Sequence, residues 1–124
     1  MSHVLGLDHV QVAMPRGEED RARSFYAGLL GLNEIPKPDA MAGRGGMWFQ
    51  CGQLQLHLGI EEPFSPARKA HPALRIRAYE NLLAKLVASG YAVARDTMLP
   101  DVSRAFVCDP FGNRIELIDD ESSS

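Results

Sequence analysis

Cysteine is scarce in this 124-residue chain, which contains only Cys51 and Cys108. Two cysteines cannot form the disulfide framework of a small secreted domain, so we interpret both as reduced thiols and expect a cytoplasmic protein. Basic residues are not in excess either, since 13 Lys and Arg face 16 Asp and Glu. The resulting charge of −3 argues against nucleic acid as a partner, because phosphate-binding domains usually carry a basic excess.

Long apolar runs are also absent. No segment approaches the roughly 18–20 consecutive apolar residues of a membrane-spanning helix, so we expect no membrane partner. The first ten residues lack a basic segment followed by an apolar one, so we expect no secretory signal. What the chain does have is 45% hydrophobic and 23% charged residues. That composition is typical of a globular protein, and the length predicts one domain.

The chain divides into two halves with the same order of elements. Each half begins with a strand, continues with a helix that has apolar residues at helical spacing, and ends with short strands. We therefore predict an α+β fold of two βαβββ modules in one domain, residues 1–120. The modules span about residues 5–60 and 70–120, with a linker at 61–69 rich in Pro, Glu and Lys. Residues 121–124 are predicted to form a disordered tail.

The predicted strands alternate between apolar and polar side chains. Val10 and Val12 point to one face of the first strand, and the opposite face carries polar groups. The polar faces of the strands hold a set of side chains able to bind a ligand: His9, Gln11, Gln55, His57, Arg75, Arg114 and Glu116. This set has two explanations, plain exposure to solvent or a polar-lined cavity between curled sheets.

Four polar residues occupy matching places in the two halves. His9 and His57 lie in the first and last strands of the first half, and His71 and Glu116 lie in those of the second. His57 follows His9 by 48 residues, and Glu116 follows His71 by 45. Single strand histidines are more often surface groups, but this symmetry favours a divalent metal site for Zn, Fe, Mn or Ni.

Four stretches resemble the vicinal oxygen chelate superfamily, also called the glyoxalase/bleomycin resistance/dioxygenase family. They are LDHVQVAM (7–14), ARSFYAGLLGL (22–32), AHPALRI (70–76) and DPFGNRIEL (109–117). The resemblance covers nearly the whole chain. Its motifs identify the superfamily well, but they say little about which reaction the protein catalyses. It implies two βαβββ modules that form a cup-shaped mixed or antiparallel sheet around a metal ion, with the helices on the outer face.

The resemblance also implies which residues bind the metal, because the family takes its ligands from the first and last strands of each module. It assigns His9, His71 and Glu116 as ligands. The fourth place is a Glu in the typical glyoxalase I, whereas this chain has His57 there. This departure makes methylglyoxal chemistry doubtful. His57 is then either a fourth ligand or a catalytic acid or base beside the metal.

The family mechanism implies a substrate that chelates the metal through two neighbouring oxygens. The expected reaction is of the isomerase or lyase, dioxygenase or transferase type, and His57 is a candidate to accept a proton. Gln11 and Gln55 share faces with the histidines and are candidates to bind substrate or to orient ligands. Arg44 and Arg114 could bind an anionic group, although most arginines are surface charges.

Two other functions remain open at this point. One is a metal-free protein that sequesters a small molecule, as the bleomycin-binding members of the family do, and the other is a regulatory remnant of the fold. The four polar positions and an aromatic content of 7% favour the enzyme. Related two-module proteins often share each cup between two subunits, so we expect a homodimer, with the cup either within one chain or at the interface.

Overall fold

The structure is a computed structural model that describes residues 1–121. Its eight strands are β1 (His9–Met14), β2 (Asn33–Ile35), β3 (Met47–Cys51), β4 (Leu54–Ile60), β5 (Ala73–Ile76), β6 (Ala94–Asp96), β7 (Arg104–Cys108) and β8 (Arg114–Asp119). Its helical elements are α1 (Glu19–Arg23), which continues as a π-helix over Ser24–Leu29, a 3₁₀-helix over Asp39–Arg44, and α2 (Tyr79–Ala88). This order confirms the predicted pair of βαβββ modules.

The chain separates into two compact units, residues 1–64 and 65–124, and the boundary falls inside the predicted linker. In the first unit the sheet has the strand order β1-β4-β3-β2. The first strand pairs in parallel with β4, and the other neighbours are antiparallel. The second unit repeats this arrangement with the order β5-β8-β7-β6 and a parallel β5–β8 pair. Both sheets are therefore mixed.

In each unit one face of the sheet forms the core together with the helix. Tyr26 of the first helical segment is fully buried, and its ring centroid lies 5.7 Å from that of Phe49 on β3. In the second unit α2 buries Tyr79, Leu83 and Leu86 of the apolar stripe that its 3.6-residue period predicts. Leu82 of that stripe is only partly buried, and Val87 is 59% exposed. Burying such a face against a sheet is what stabilises an α+β unit of this size.

The first helix departs from the simple helical period. The sequence predicts one α-helix with a stripe that includes Leu29 and Leu30, but the segment widens to a π-helix after Arg23. The Leu30 amide donates to the Phe25 carbonyl at 2.9 Å, a bond that skips one residue more than an α-helical bond does. As a result Phe25 and Tyr26 are fully buried, whereas Leu29 and Leu30 are only partly buried.

At the C-terminal end, residues 122–124 of the predicted tail lie outside the described residues. Glu121 is described, and its carboxylate accepts a hydrogen bond from the Ala78 amide at 2.8 Å. Ala78 has a left-handed backbone (φ 54°) just before α2.

Among residues 1–121, no helix is both long and apolar enough to cross a membrane.

Gly46 joins the 3₁₀-helix to β3 at a point of close backbone approach. Its amide donates to a Glu19 carboxylate oxygen at 3.0 Å, and its φ is +79°. A Cβ here would overlap the carbonyl oxygen of Leu58 on β4. The position therefore needs glycine for both its dihedral angle and the available space.

We expect Gly46→Ala to lower the free energy of unfolding by more than about 2 kcal/mol, because it adds left-handed strain to a clash with backbone. Gly43→Ala is the matched control, since a Cβ at Gly43 would contact nothing within 4 Å. Urea denaturation of both variants measures the difference. Equal stability of the two variants would contradict the conclusion that position 46 needs glycine.

Candidate functional site

Strand register places the polar groups of the first unit on one face. In the parallel pair, His9 lies opposite Gln55 and Gln11 lies opposite His57. In the antiparallel pair, Trp48 lies opposite His57. Residues in register on neighbouring strands point to the same side of the sheet. These five side chains therefore share the face opposite to the core.

Three rings on this face form a continuous stack across β3, β4 and β1. The rings of Trp48 and His57 are 3.9 Å apart and nearly parallel, at 3°. On the other side of His57 the ring of His9 lies 4.2 Å away at 15°. The imidazole of His57 is thus enclosed between two rings.

This enclosure disfavours the protonated form of His57. The residue is only 4% exposed, and its Nε2 lies 2.8 Å from the Gln55 amide oxygen. Burial lowers the pKa of His57 below its ordinary value, and the neighbouring His9 lowers it further, against a smaller opposite effect of Asp8. An amide oxygen only accepts, so Nε2 carries the proton and the neutral ring has its lone pair on Nδ1.

His9 has its own hydrogen-bond partner at the edge of the stack. Its Nδ1 lies 2.8 Å from a carboxylate oxygen of Asp8. A carboxylate that holds Nδ1–H leaves Nε2 as the free acceptor, as is common for metal-binding histidines. The ring is partly exposed, with 44% of the side chain accessible.

The other candidate residues of this unit differ in their contacts. The Gln11 side chain lies over Gly59, where a Cβ would come within 2.5 Å of the Gln11 amide nitrogen. Gln55 binds His57 as described above. Arg44 is exposed at the end of the 3₁₀-helix and makes no hydrogen bond or ion pair within residues 1–121. The structure therefore brings Gln11 and Gln55 to the histidines but shows no contact of Arg44 with them.

The second unit joins His71 to Glu116. Glu116 of β8 is buried, and its Oε1 lies 2.9 Å from Nε2 of His71, just before β5. The other ring nitrogen of His71 lies 2.8 Å from the Lys69 carbonyl oxygen. A carbonyl only accepts, so Nδ1 carries the proton, and a neutral His71 directs a lone pair at the carboxylate. Two facing lone pairs need a cation between them, either a proton or a metal ion.

The spacing of these two atoms is compatible with a hydrogen bond and with a shared metal ion. A distance of 2.9 Å is an ordinary N···O hydrogen-bond length. Two ligands that are each about 2.1 Å from an ion and at right angles to one another, as in octahedral coordination, would lie about 3.0 Å apart. Within residues 1–121, however, no group of three or more His, Cys, Asp or Glu side chains is placed to hold a metal. Each unit contributes one pair of candidate ligands.

Arg104 on β7 holds the second oxygen of Glu116. Its guanidinium donates to Glu116 Oε2 at 3.3 Å and to an Asp96 carboxylate oxygen at 2.7 Å. Its Nε is buried and has no partner among the described residues. Because one oxygen of Glu116 is held by Arg104, the other is left facing His71.

Arg114 lies on the same face of the second sheet, two residues before Glu116. Its guanidinium carbon lies 4.0 Å from the centroid of the Phe106 ring. Phe106 is in register with Glu116, and its ring makes an edge contact with His71 at 5.5 Å and 81°. One aromatic ring thus lies beside both the candidate ligands and a cation.

A family model for the Glyoxalase/Bleomycin resistance protein/Dioxygenase superfamily matches residues 6–117. The chain belongs to this superfamily. Membership confirms the resemblance drawn from the sequence motifs and accounts for the two βαβββ modules.

Solved structures of the glyoxalase superfamily show the same fold. A putative glyoxalase family protein from Bacillus anthracis is 45% identical, with a TM-score of 0.92 over 96% of this chain and 98% of that chain. The fosfomycin resistance protein FosX from Listeria monocytogenes is 14% identical, with a TM-score of 0.72 over 94% and 91%. Lactoylglutathione lyase from Agrobacterium tumefaciens is 16% identical, with a TM-score of 0.71 over 95% and 96%. No curated protein matches the chain.

The sequence pattern alone does not predict Trp48 and Phe106 as part of this site. Arg104 is one of five basic residues that could bind an anionic substrate on sequence grounds, and its contact with Glu116 was not predicted. The sequence did contain a clue to each of the three. Each occupies a position in its strand whose side chain points to the polar face of the sheet. Their partners become visible only from the cross-strand register.

The lowered pKa of His57 predicts a pH dependence of stability in the metal-free protein. Below its ordinary pKa of 6.5 the unfolded chain binds more protons than the folded one, so stability falls as the pH drops through 6.5. We expect His57→Phe to lose less stability than the parent between about pH 7.5 and 5.5. Urea denaturation at both pH values measures this, with His3→Gln as the control. If His57→Phe loses as much stability as the parent over this pH range, the prediction is wrong.

Arg104→Met should lower the free energy of unfolding of the metal-free protein by about 1–3 kcal/mol, because it removes the guanidinium that donates to Asp96 Oδ2 and to Oε2 of the buried Glu116. Arg95→Met is the matched control, since Arg95 pairs with Glu80 where both side chains are more than half exposed. That variant should change stability little. Urea denaturation compares the free energies of unfolding of the two variants. If Arg104→Met is destabilised no more than Arg95→Met, Arg104 does not have the proposed role of holding Glu116 and Asp96.

Proposed function

We propose that this chain is a metal-dependent enzyme that acts on a small molecule with two neighbouring oxygen atoms. The observation that carries the proposal is the convergence of His71 Nε2 and Glu116 Oε1 at 2.9 Å. The superfamily membership supports it, since that family includes proteins named as a lyase and as a fosfomycin resistance protein.

The donor set suits a divalent transition metal. His71 and His9 each have Nδ1 held by an acceptor, which leaves Nε2 free to bind an ion. Glu116 adds one carboxylate oxygen, because Arg104 holds the other. Two imidazoles and one carboxylate suit Zn, Fe, Mn or Ni. We propose His9, His71 and Glu116 as the ligands.

The stacked rings argue for His57 as a base instead of a fourth ligand. An imidazole binds a metal in the plane of its ring, and the planes of His9 and His57 run almost parallel, with ring centroids 4.2 Å apart. In these orientations the two rings cannot both direct lone pairs at one ion. His57 keeps an unprotonated Nδ1, so it can accept a proton from a bound substrate.

The metal, when bound, would stabilise negative charge that develops on the substrate oxygens. The chain's own residues would do the rest. Arg104 keeps Glu116 in one orientation, and Gln55 keeps the Nε2 proton of His57 in place so that Nδ1 remains the basic atom. Gln11 borders the same face and is proposed to contact substrate. Arg44 stays a prediction from sequence.

We also propose that the protein is a homodimer. The three proposed ligands are His9 from the first module and His71 and Glu116 from the second, so a complete set needs both modules, either of one chain or of two. In the proposed arrangement each cup combines the first module of one subunit with the second module of its partner.

Metal content tests the enzyme proposal. Protein stripped with chelator and reloaded should hold about one Zn, Mn, Fe(II) or Ni per chain by elemental mass spectrometry. His71→Ala and Glu116→Gln should lose that metal, whereas His57→Phe and the control His3→Ala should keep it. Loss in His57→Phe would make His57 a ligand. No uptake of any of the four metals by the parent would overturn the proposal in favour of a metal-free binding protein.

Mixing two defective variants tests where the cup is formed. His9→Ala and His71→Ala each lack one ligand, but a mixed dimer with shared cups has one site with both defects and one intact site. Unfolding and refolding an equal mixture should then restore roughly a quarter of the metal content. Refolding each variant alone is the control. No restoration in the mixture would overturn the shared cup.

A further inference from the structure

Arg114 packs against an aromatic ring beside the candidate ligands. It begins β8 on the face that also carries Glu116, and its guanidinium lies 4.0 Å from the centre of the Phe106 ring. The edge contact of Phe106 with His71 extends this arrangement to the ligand pair. A guanidinium that rests on an aromatic ring loses little freedom when it binds an anion.

The two partly buried arginines on this face differ in their charge partners. Arg104 is matched by Asp96 and Glu116. Arg114 has no carboxylate within ion-pair distance anywhere in residues 1–121, although it is also partly buried. The other unpaired arginines of this unit, Arg68 and Arg77, are exposed, so water can solvate their charge. A partly desolvated cation without a counter-charge is expected to gain from an anionic ligand.

We propose that Arg114 binds a carboxylate of the substrate, which makes the substrate a small carboxylic acid that also carries the vicinal oxygens. The inference rests on the proposed function, since it names the substrate class of that same site. A guanidinium presents two parallel N–H groups that match the two oxygens of a carboxylate.

In the metal-free protein, the charge balance of the face favours a monoanion over a phosphate dianion. Arg104 is already neutralised, so Arg114 supplies the one unmatched positive charge among the side chains described around Phe106. A single guanidinium neutralises one carboxylate, whereas a dianion would need a second cation. A neutral substrate would leave Arg114 without a partner, so the residue also discriminates against neutral analogues.

Binding of pyruvate and of its neutral amide, pyruvamide, tests the proposal on metal-stripped protein. The two probes differ in charge but hardly in shape. Titration is followed by nitrogen-15 NMR of the arginine side-chain and backbone amides at constant ionic strength. We expect pyruvate to bind saturably at Arg114 and pyruvamide to bind at least about tenfold more weakly, the factor of one charge-assisted pair.

Variants separate the guanidinium from a general charge effect. Arg114→Met should weaken pyruvate binding at least about tenfold, and Arg114→Lys should weaken it less because it keeps the charge but loses the two-pronged donor. Arg77→Met is the matched control and should bind pyruvate as the parent does. The backbone spectrum of each variant reports whether it is folded. If Arg114→Met does not fold, the comparison is made with Arg114→Lys.

Three results would overturn the inference. They are pyruvate binding unaffected by both Arg114 variants, equal binding of pyruvate and pyruvamide, and tighter binding of inorganic phosphate than of pyruvate. The metal is absent from this experiment, so its outcome is separate from that of the metal-content test. If the protein binds a carboxylate but takes up no metal, Arg114 is still an anion-binding residue, but the proposal of a metal-dependent enzyme is wrong.

Discussion

The parallel pairing of the first and last strand of each module is the constraint on which the candidate site depends. The partner of β1 is β4 and the partner of β5 is β8, although about 40 residues separate the strands in each pair. This pairing sets Gln11 beside His57 and brings His71 to Glu116. A slip of one residue in one of these strands would turn the site residues of that strand toward the core.

The sequence predicts the modules well because their signals are local. Alternation in β4 and the helical stripe of α2 each lie within ten residues, and the turn at Asp109 is determined by its own side chain, which accepts bonds from the amides of Phe111 and Asn113 at 2.9 Å. The π-helix after Arg23 was not predicted, because the apolar spacing of this segment is also that of an ordinary α-helix.

The sequence predicts which residues belong to the candidate site, but it does not predict the contacts that they make. His9, His57, His71 and Glu116 stand out through their matching positions in the two halves. The parallel stack of His9 and His57 depends on side-chain rotation, which no spacing encodes. The same is true of Arg104, whose two carboxylate partners come from β6 and β8, so that its role is visible only when the strands are paired.

The stack across the first sheet has a practical consequence, because Trp48 is the only tryptophan of the chain. Its indole lies 3.9 Å from the imidazole of His57, which in turn lies against His9. Indole emission responds to the charge and polarity of groups in contact with the ring. The tryptophan fluorescence of the protein therefore originates next to the proposed base, and events at that residue can be followed in the unlabelled chain.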